Sequence, residues 1–257
     1  MATISKTNTT NNSQLEKIVK YLVISGLIAF TLLYFVYSTP TWVLAYFVSK
    51  YSNNTLNITN QTGTFWKGHG LLVITNPRVK GAIPLMNIDW HIQLGFKKFV
   101  QVDLSSFNNT IANISVEKTG LNVRSLSLTF SLSQTSQMLE TLHSLDLAGT
   151  IKVTSATGIT MDAKTMKGTI EADVYHLSST ISPLNPLGDY HATVTLDNGG
   201  IKVSTMNDAI IKIDGEGSMK GLSLNATVQP DKKDKLLQFM VMFGDPVGDN
   251  QYLLKLI

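Results

Sequence analysis

The chain has 257 residues, 43% of them hydrophobic, and a formal net charge of only +3. This size allows one membrane segment and one domain with its own core, and the near balance of charges argues against a nucleic-acid binder, which usually concentrates basic residues on one face. Cysteine is absent, which excludes disulfides, thiol nucleophiles and cysteine-ligated metal sites.

An uncharged apolar segment lies close to the N-terminus. Its densest part, residues 21–37, approaches the roughly 20 apolar residues that a helix needs to span a bilayer. Lys17 and Lys20 precede it, and the next charge is Lys50, so the positive-inside rule places the N-terminus in the cytoplasm and the rest of the chain outside. The residues before Pro40 form a poor cleavage site, which favours an uncleaved anchor over a signal peptide.

These signals divide the chain into four predicted parts. Residues 1–20 form a cytoplasmic tail, disordered over 1–16. A transmembrane helix covers 21–39 and ends at Pro40, which has no backbone N–H to donate. Residues 40–51 form an apolar, aromatic linker that either lies along the membrane surface as a short helix or packs on the outer domain. That domain covers 52–257. The predicted aromatic belt at the outer interface comprises Tyr34, Tyr37 and Trp42.

After residue 51 the apolar period changes to two, which is typical of half-buried strands. The clearest case is residues 126–133, where apolar side chains alternate with Ser and Thr. A bulge near Arg124 and Ser125 would bring Leu121 and Val123 onto the same face. The alternation recurs in residues 88–94, 170–174, 190–196, 201–203, 211–213 and 222–228.

Turn signals and apolar spacing complete the secondary-structure prediction. Asn198-Gly199 indicates a hairpin whose two central residues take positive φ, and a second hairpin joins residues 211–217 to 222–228. Helices are predicted at 134–143 and at 235–243, the latter with Asp234 as N-cap and Gly244 as terminator. The last apolar run, residues 252–257, is predicted to be a closing or edge strand.

The predicted fold class is mainly β: one transmembrane helix and then one curved antiparallel sheet with one or two short helices. Strands about every ten residues, separated by little helix, favour a meander over βαβ units. The apolar face must be buried against the sheet itself, and periodicity does not choose between a barrel, a sandwich and a folded groove.

No residue pattern indicates catalysis, a metal or a cofactor. The five histidines lack metal-ligand spacing, and the glycine-rich residues 63–70 lack the Gly-Lys-Ser/Thr ending of a phosphate loop. The sequence therefore predicts a protein that is not an enzyme. Trp66, flanked by Gly63 and Gly68, is interpreted as a core anchor rather than as an exposed partner contact.

The chain resembles the type II secretion system protein N family. An N-terminal anchor precedes residues 63–70, Gly-Thr-Phe-Trp-Lys-Gly-His-Gly, which are similar to that family's Gly-Thr-Leu-Trp-x-Gly signature. A strand tryptophan follows, and residues 182–190 are similar to its Pro-Leu-Gly-x-Tyr element. The residues of the chain that carry these signatures are Gly63, Thr64, Trp66, Gly68, Trp90, Pro186, Leu187, Gly188 and Tyr190. The chain departs from the family in having His69 where many members have Arg.

The resemblance implies an inner-membrane protein with a periplasmic domain that helps to export folded proteins from the periplasm. It implies contacts with other secretion proteins of the inner membrane and periplasm, no catalytic residues and no cofactor, and structural roles for the signature residues. The alternative is an envelope protein similar to the AsmA group, which would bind or carry lipid in a hydrophobic β groove.

Overall fold

Two helices open the computed structural model, which describes residues 8–75, 81–96, 98–133, 146–162, 165–218 and 220–256. They are α1 (Asn8–Tyr37) and α2 (Thr41–Tyr51). The prediction of a disordered tail is wrong for residues 8–16, which extend α1, because each residue added to a nucleated helix gains a backbone hydrogen bond. The part Lys17–Tyr37 is long and apolar enough, by length and composition, to cross a membrane.

Within the described residues, fourteen strands form one open antiparallel sheet, which confirms the predicted mainly β class. The strands lie in chain order, except that β14 lies between β12 and β13. The last apolar run is thus a strand next to the edge and does not close a barrel. The strands are β1 (Leu56–Gly63), β2 (Lys67–Thr75), β3 (Ala82–Leu94), β4 (Val100–Ser106), β5 (Asn109–Glu117), β6 (Gly120–Ser131), β7 (Leu147–Met161), β8 (Met166–Ser179), β9 (Gly188–Thr195), β10 (Gly200–Thr205), β11 (Ile211–Ser218), β12 (Gly221–Val228), β13 (Asp245–Pro246) and β14 (Gln251–Leu256).

Residues that pair directly across neighbouring strands lie on the same face of a sheet. On one face of this sheet such partners form a row of mostly apolar residues that runs across the strands. We call it the apolar row. From β3 to β6 it is Trp90, Leu104, Ala112 and Leu126. From Leu128, two residues along β6, it continues through Val153, Ala172, Ala192, Val203, Gly215, Leu224 and Leu254.

The apolar row is fully buried only near the two ends of the sheet. The N-terminal core lies around Trp90, and the C-terminal core lies around Leu236 and Tyr252. Between them, Val153, Ala172 and the other row residues of β7 to β10 are only half-buried. The expectation that the sheet buries its apolar face against itself is therefore wrong: α2 covers that face at one end and the helix at residues 233–241 covers it at the other.

The predicted irregularities and hairpins are present. Against β7, the register of β6 shifts between Val123 and Ser127. Against β5, it shifts between the β6 partners of Asn113 and Ile114. Both shifts confirm the bulge near Arg124 and Ser125. The hairpin of β9 and β10 is also confirmed, but its turn is longer than predicted.

The turn of that hairpin covers residues 196–199, since Thr195 pairs directly with Gly200. Among its residues only Gly199 has positive φ, at 68°. Asn198 instead accepts a hydrogen bond on Oδ1 from the Gly200 N–H at 2.8 Å. The expectation of two residues with positive φ is therefore wrong, because the asparagine side chain closes the turn.

The predicted C-terminal helix exists as α3 (Lys233–Val241), after a 3₁₀ turn at Pro230–Lys232. Asp234 is not its N-cap, because the 3₁₀ turn leads directly into the helix and leaves Asp234 in the first turn. The N–H of Gly244, the predicted terminator, donates to the Met240 carbonyl at 3.0 Å. The helix predicted at residues 134–143 lies outside the described residues.

Candidate functional site

The most unusual local geometry joins the end of α1 to the turn between β1 and β2. The Val36 carbonyl would normally accept a hydrogen bond from the N–H four residues later, but that residue is Pro40. Trp66 supplies a replacement: its Nε1 donates to the Val36 oxygen at 2.8 Å. Thr39 Oγ1 donates to the same oxygen, also at 2.8 Å. The proline that ends the helix therefore creates the acceptor that Trp66 uses.

Two backbone contacts reinforce this junction. The Phe65 N–H donates to the Thr39 carbonyl at 2.8 Å, and Pro40 and Thr64 form an isolated antiparallel β-bridge. The chain between α1 and α2 thus pairs with the turn of the sheet as a very short strand. Helix α1 and the sheet are held together by hydrogen bonds as well as by chain connectivity.

Trp90 supports the same turn from inside the N-terminal core. Its side chain is 3% exposed, and its Nε1 lies 3.1 Å from both the Thr64 and the Phe65 carbonyl oxygens. The backbone of β3 adds a further bond, from the Ile92 N–H to the Trp66 carbonyl at 2.6 Å. Because a buried indole N–H needs an acceptor, the position of Trp90 fixes the position of the turn.

The glycines of this segment leave room for that arrangement. A Cβ at Gly68 would overlap the Trp90 ring, and one at Gly70 would lie 2.6 Å from Ile58 Cγ2. Gly63 has φ +96°, which favours glycine. Trp66, in contrast, is only half-buried, against the N-terminal core. Trp66 packs against the core, as interpreted from the sequence, but it is not the residue at the centre of the core. Trp90 has that role, because it lies inside a strand whereas Trp66 lies in a turn.

The linker helix α2 packs on the sheet with one face only. Thr41 and Ala45 are buried, and Leu44 and Val48 pack against the N-terminal core. The outward face is aromatic and exposed, at Trp42, Tyr46, Phe47 and Tyr51. Of the two alternatives for the linker, packing on the outer domain is thus observed. In the described part of the chain the aromatic face of α2 stays exposed.

The second signature element lies at the C-terminal core. Leu187 is 3% and Tyr190 6% exposed, and the Tyr190 hydroxyl donates to the Ile211 carbonyl at 2.8 Å. Burial raises the pKa of this hydroxyl. Gly188 lies against Ala209 and the Tyr190 ring, where a Cβ would overlap both. Pro186 follows a cis peptide bond and is exposed.

The structure therefore gathers the predicted residues into two groups. Gly63, Thr64, Trp66, Gly68 and Trp90 form the anchor junction. Leu187 belongs to the C-terminal core, and Gly188 and Tyr190 adjoin it, Tyr190 through its hydrogen bond to Ile211. Lys17 lies at the start of the apolar part of α1, and Lys20 one turn later.

Polar side chains on the opposite face of the sheet form an arrangement that sequence reasoning missed. His191 Nδ1 lies 2.6 Å from Asp173 Oδ1, and His191 Nε2 lies 3.1 Å from Thr193 Oγ1. The signal was the alternation that places these residues on one face of adjacent strands. Because neighbouring polar residues on a sheet surface bond to one another in this way, we interpret the group as a cross-strand contact. In the part of the chain that is described, no three His, Asp or Glu side chains could hold a metal ion.

The family of this chain is identified by comparison with known protein families. The profile described as type II secretion system (T2SS), protein N, matches residues 54–255, which is most of the chain. The chain belongs to the type II secretion system protein N family. No curated protein and no solved structure matches it significantly. This protein N family member is therefore a type II secretion system component, and its matched region begins just after α2 and contains both signature groups.

Proposed function

We propose that this protein N family member is a non-catalytic accessory component of the secretion machine in the inner membrane. The observation that carries the proposal is the family match over residues 54–255 behind a helix of spanning length. The N-terminus lies in the cytoplasm and the sheet in the periplasm, since Lys17 and Lys20 precede the apolar segment. Residues 21–39 span the membrane, 40–51 link the anchor to the sheet, and 52–257 form the periplasmic domain.

The anchor junction gives such a component a defined orientation. Hydrogen bonds from Trp66 and Phe65 hold the end of α1 against the sheet, and α2 packs on β1. A flexible linker would let the domain rotate freely, whereas this junction restricts it. The role of the signature residues Gly63, Thr64, Trp66, Gly68 and Trp90 is, in this proposal, to fix the domain relative to the bilayer.

The outer face of α3 is the best-supported contact surface for another secretion protein. Leu237 and Val241 lie one helical turn apart and are 46% and 56% exposed, and Met242 follows at 66%. The opposite face of α3 is buried through Leu236 and Met240. Exposed apolar side chains that adjoin one another often mark a protein–protein contact. This surface lies at the end of the strand order farthest from the anchor.

A photo-crosslinking amino acid at Leu237, in cells that carry the full chain, tests the proposal. We expect covalent capture of other secretion proteins of the inner membrane or periplasm. Lys212, which is exposed on the opposite face of β11, is the matched control and should capture far less. Equal capture of unrelated proteins from both positions would contradict a specific contact at α3.

The lipid-carrying alternative is favoured by one observation, the half-buried centre of the apolar row. A crosslinker at Val194, whose partners in β8 and β10 are Ile170 and Ile201, samples that surface in the same experiment. Lipid adducts at Val194, without protein adducts at Leu237, would support lipid binding and contradict the accessory role. Protein adducts at Leu237 without lipid at Val194 would support the accessory role.

A further inference from the structure

The hairpin that joins β3 and β4 has an apolar tip. Leu94 is 65% exposed, Phe96 is fully exposed at 105%, and Phe99 is 45% exposed. Connections between strands are normally polar, and sequence periodicity had assigned Leu94 to the inward set with Ile92. Instead, Ile92 is the last residue of that set to be buried. The tip therefore exposes three large apolar side chains that the core of the protein does not use.

The tip lies beside the outer end of the candidate membrane span. Strand β3 passes the anchor junction at Ile92, whose N–H bonds to the Trp66 carbonyl. Two residues later, Leu94 lines a cavity of about 550 Å³ together with Leu33 and Val36 of α1. Leu33 lies about one helical turn before Tyr37, the last residue of the span. Leu94 is thus level with residues that belong to the apolar segment.

We propose that the tip of the β3–β4 hairpin inserts into the interfacial layer of the outer leaflet, as a second membrane contact beside α1. This rests on the proposed membrane placement of α1. Phe96 is two residues beyond Leu94, farther along the hairpin from the cavity that Leu94 shares with the span. A lipid surface is the occupant that fits, because any group next to Leu33 of a spanning helix is surrounded by lipid. Aromatic side chains suit this layer, and a lysine such as Lys98 has a side chain long enough for its ammonium group to reach phosphate headgroups.

The same strand provides a matched control. Phe107 is 78% exposed in the turn between β4 and β5, at the opposite end of β4 from the tip. Seven residues of strand separate the two ends, or about 23 Å at about 3.3 Å per residue. Phe96 and Phe107 are therefore two exposed phenylalanines on the same sheet, the first next to the span and the second away from it.

Spin labelling of the full chain in lipid nanodiscs tests the proposal, and the absence of native cysteine makes it straightforward. Single variants Phe96→Cys, Phe107→Cys and Phe35→Cys carry a nitroxide, and collisions with oxygen and with a water-soluble nickel chelate are measured by electron paramagnetic resonance. Nanodiscs of phosphatidylethanolamine and phosphatidylglycerol serve as the membrane. Unchanged thermal unfolding shows that each labelled variant is folded.

We expect the labels at Phe96 and Phe35 to show an oxygen-to-nickel collision ratio several times that of the label at Phe107. If Phe96 behaves like Phe107 while Phe35 is in lipid, the hairpin inference is overturned and the membrane anchor stands. If Phe35 also behaves like Phe107, the proposed membrane placement itself is overturned. Protection of Phe96 from both reagents would mean burial against protein and would likewise overturn the inference.

Discussion

Two tryptophans near the anchor divide between them the roles of core residue and junction residue. Trp90 is an inward position of β3, and its ring fills the space left by Gly68 and Gly70. Trp66 is in the preceding turn and donates to α1. Glycines flank Trp66 in the sequence, and this pattern does not separate a side chain that points inward from one at the tip of a turn. Only the alternation around Trp90 indicated its burial.

Replacing Trp90 by alanine should lower the free energy of unfolding by about 3–5 kcal/mol, because it leaves a cavity in the N-terminal core and removes the donor to the Thr64 and Phe65 carbonyls. Trp66→Ala should cost clearly less, since that ring is only half-buried. Denaturant unfolding of the full chain in detergent, followed by circular dichroism, measures both. An equal loss in the two variants would contradict the assignment of Trp90 as the core residue.

At the scale of elements, the connection between α1 and the sheet depends on Pro40 and on the turn that follows β1. The proline frees the Val36 carbonyl, and Trp66 and Thr39 bind it. The buried face of α2 then continues the contact onto β1. Helix, linker and first hairpin therefore form one joined unit, although the sequence reads as three separate segments.

The variant Trp66→Phe keeps an aromatic ring and removes the donor to Val36. We expect faster hydrogen exchange at the Phe65 amide, which bonds to the Thr39 carbonyl across the same junction, because local opening there becomes easier by about 1 kcal/mol. Hydrogen exchange with mass spectrometry, in detergent, measures this. Trp42→Phe, at an exposed position on α2, is the control and should leave the exchange of residue 65 unchanged.

At the scale of the whole molecule, the two cores lie at the two ends of a sheet that is not closed. The apolar row crosses the sheet from Trp90 to Leu254, but the strands between the cores leave it half-buried. The molecule thus offers an anchored end, an open middle and a far end that carries the exposed face of α3. In the proposed function the anchored end contacts the membrane and the far end contacts another secretion protein, whereas the open middle is the surface that the lipid-carrying alternative would use.

In the proposed topology, Lys17 and Lys20 set the orientation of the whole chain. Replacing both by glutamine and adding two lysines just after Pro40 should weaken or invert the topology, because the positive flank then lies on the other side of the apolar segment. Fusions of the C-terminus to a reporter that is active only in the periplasm measure the orientation. Replacing both lysines by arginine preserves the charge and should leave the reporter active. An unchanged orientation in the first variant would contradict the proposed topology.

The sequence by itself determined the elements and the family. Uncharged length predicted the spanning helix, the period of two predicted the strands, and Asn-Gly and Gly-rich turns predicted the hairpins, because these patterns arise from backbone geometry within a few residues. Only the tertiary structure decided that the sheet stays open, that Trp90 rather than Trp66 is the core residue, and that Leu94 and Leu237 face outward. The physical reason is that burial depends on which strands and helices meet, and those contacts join residues far apart in the chain.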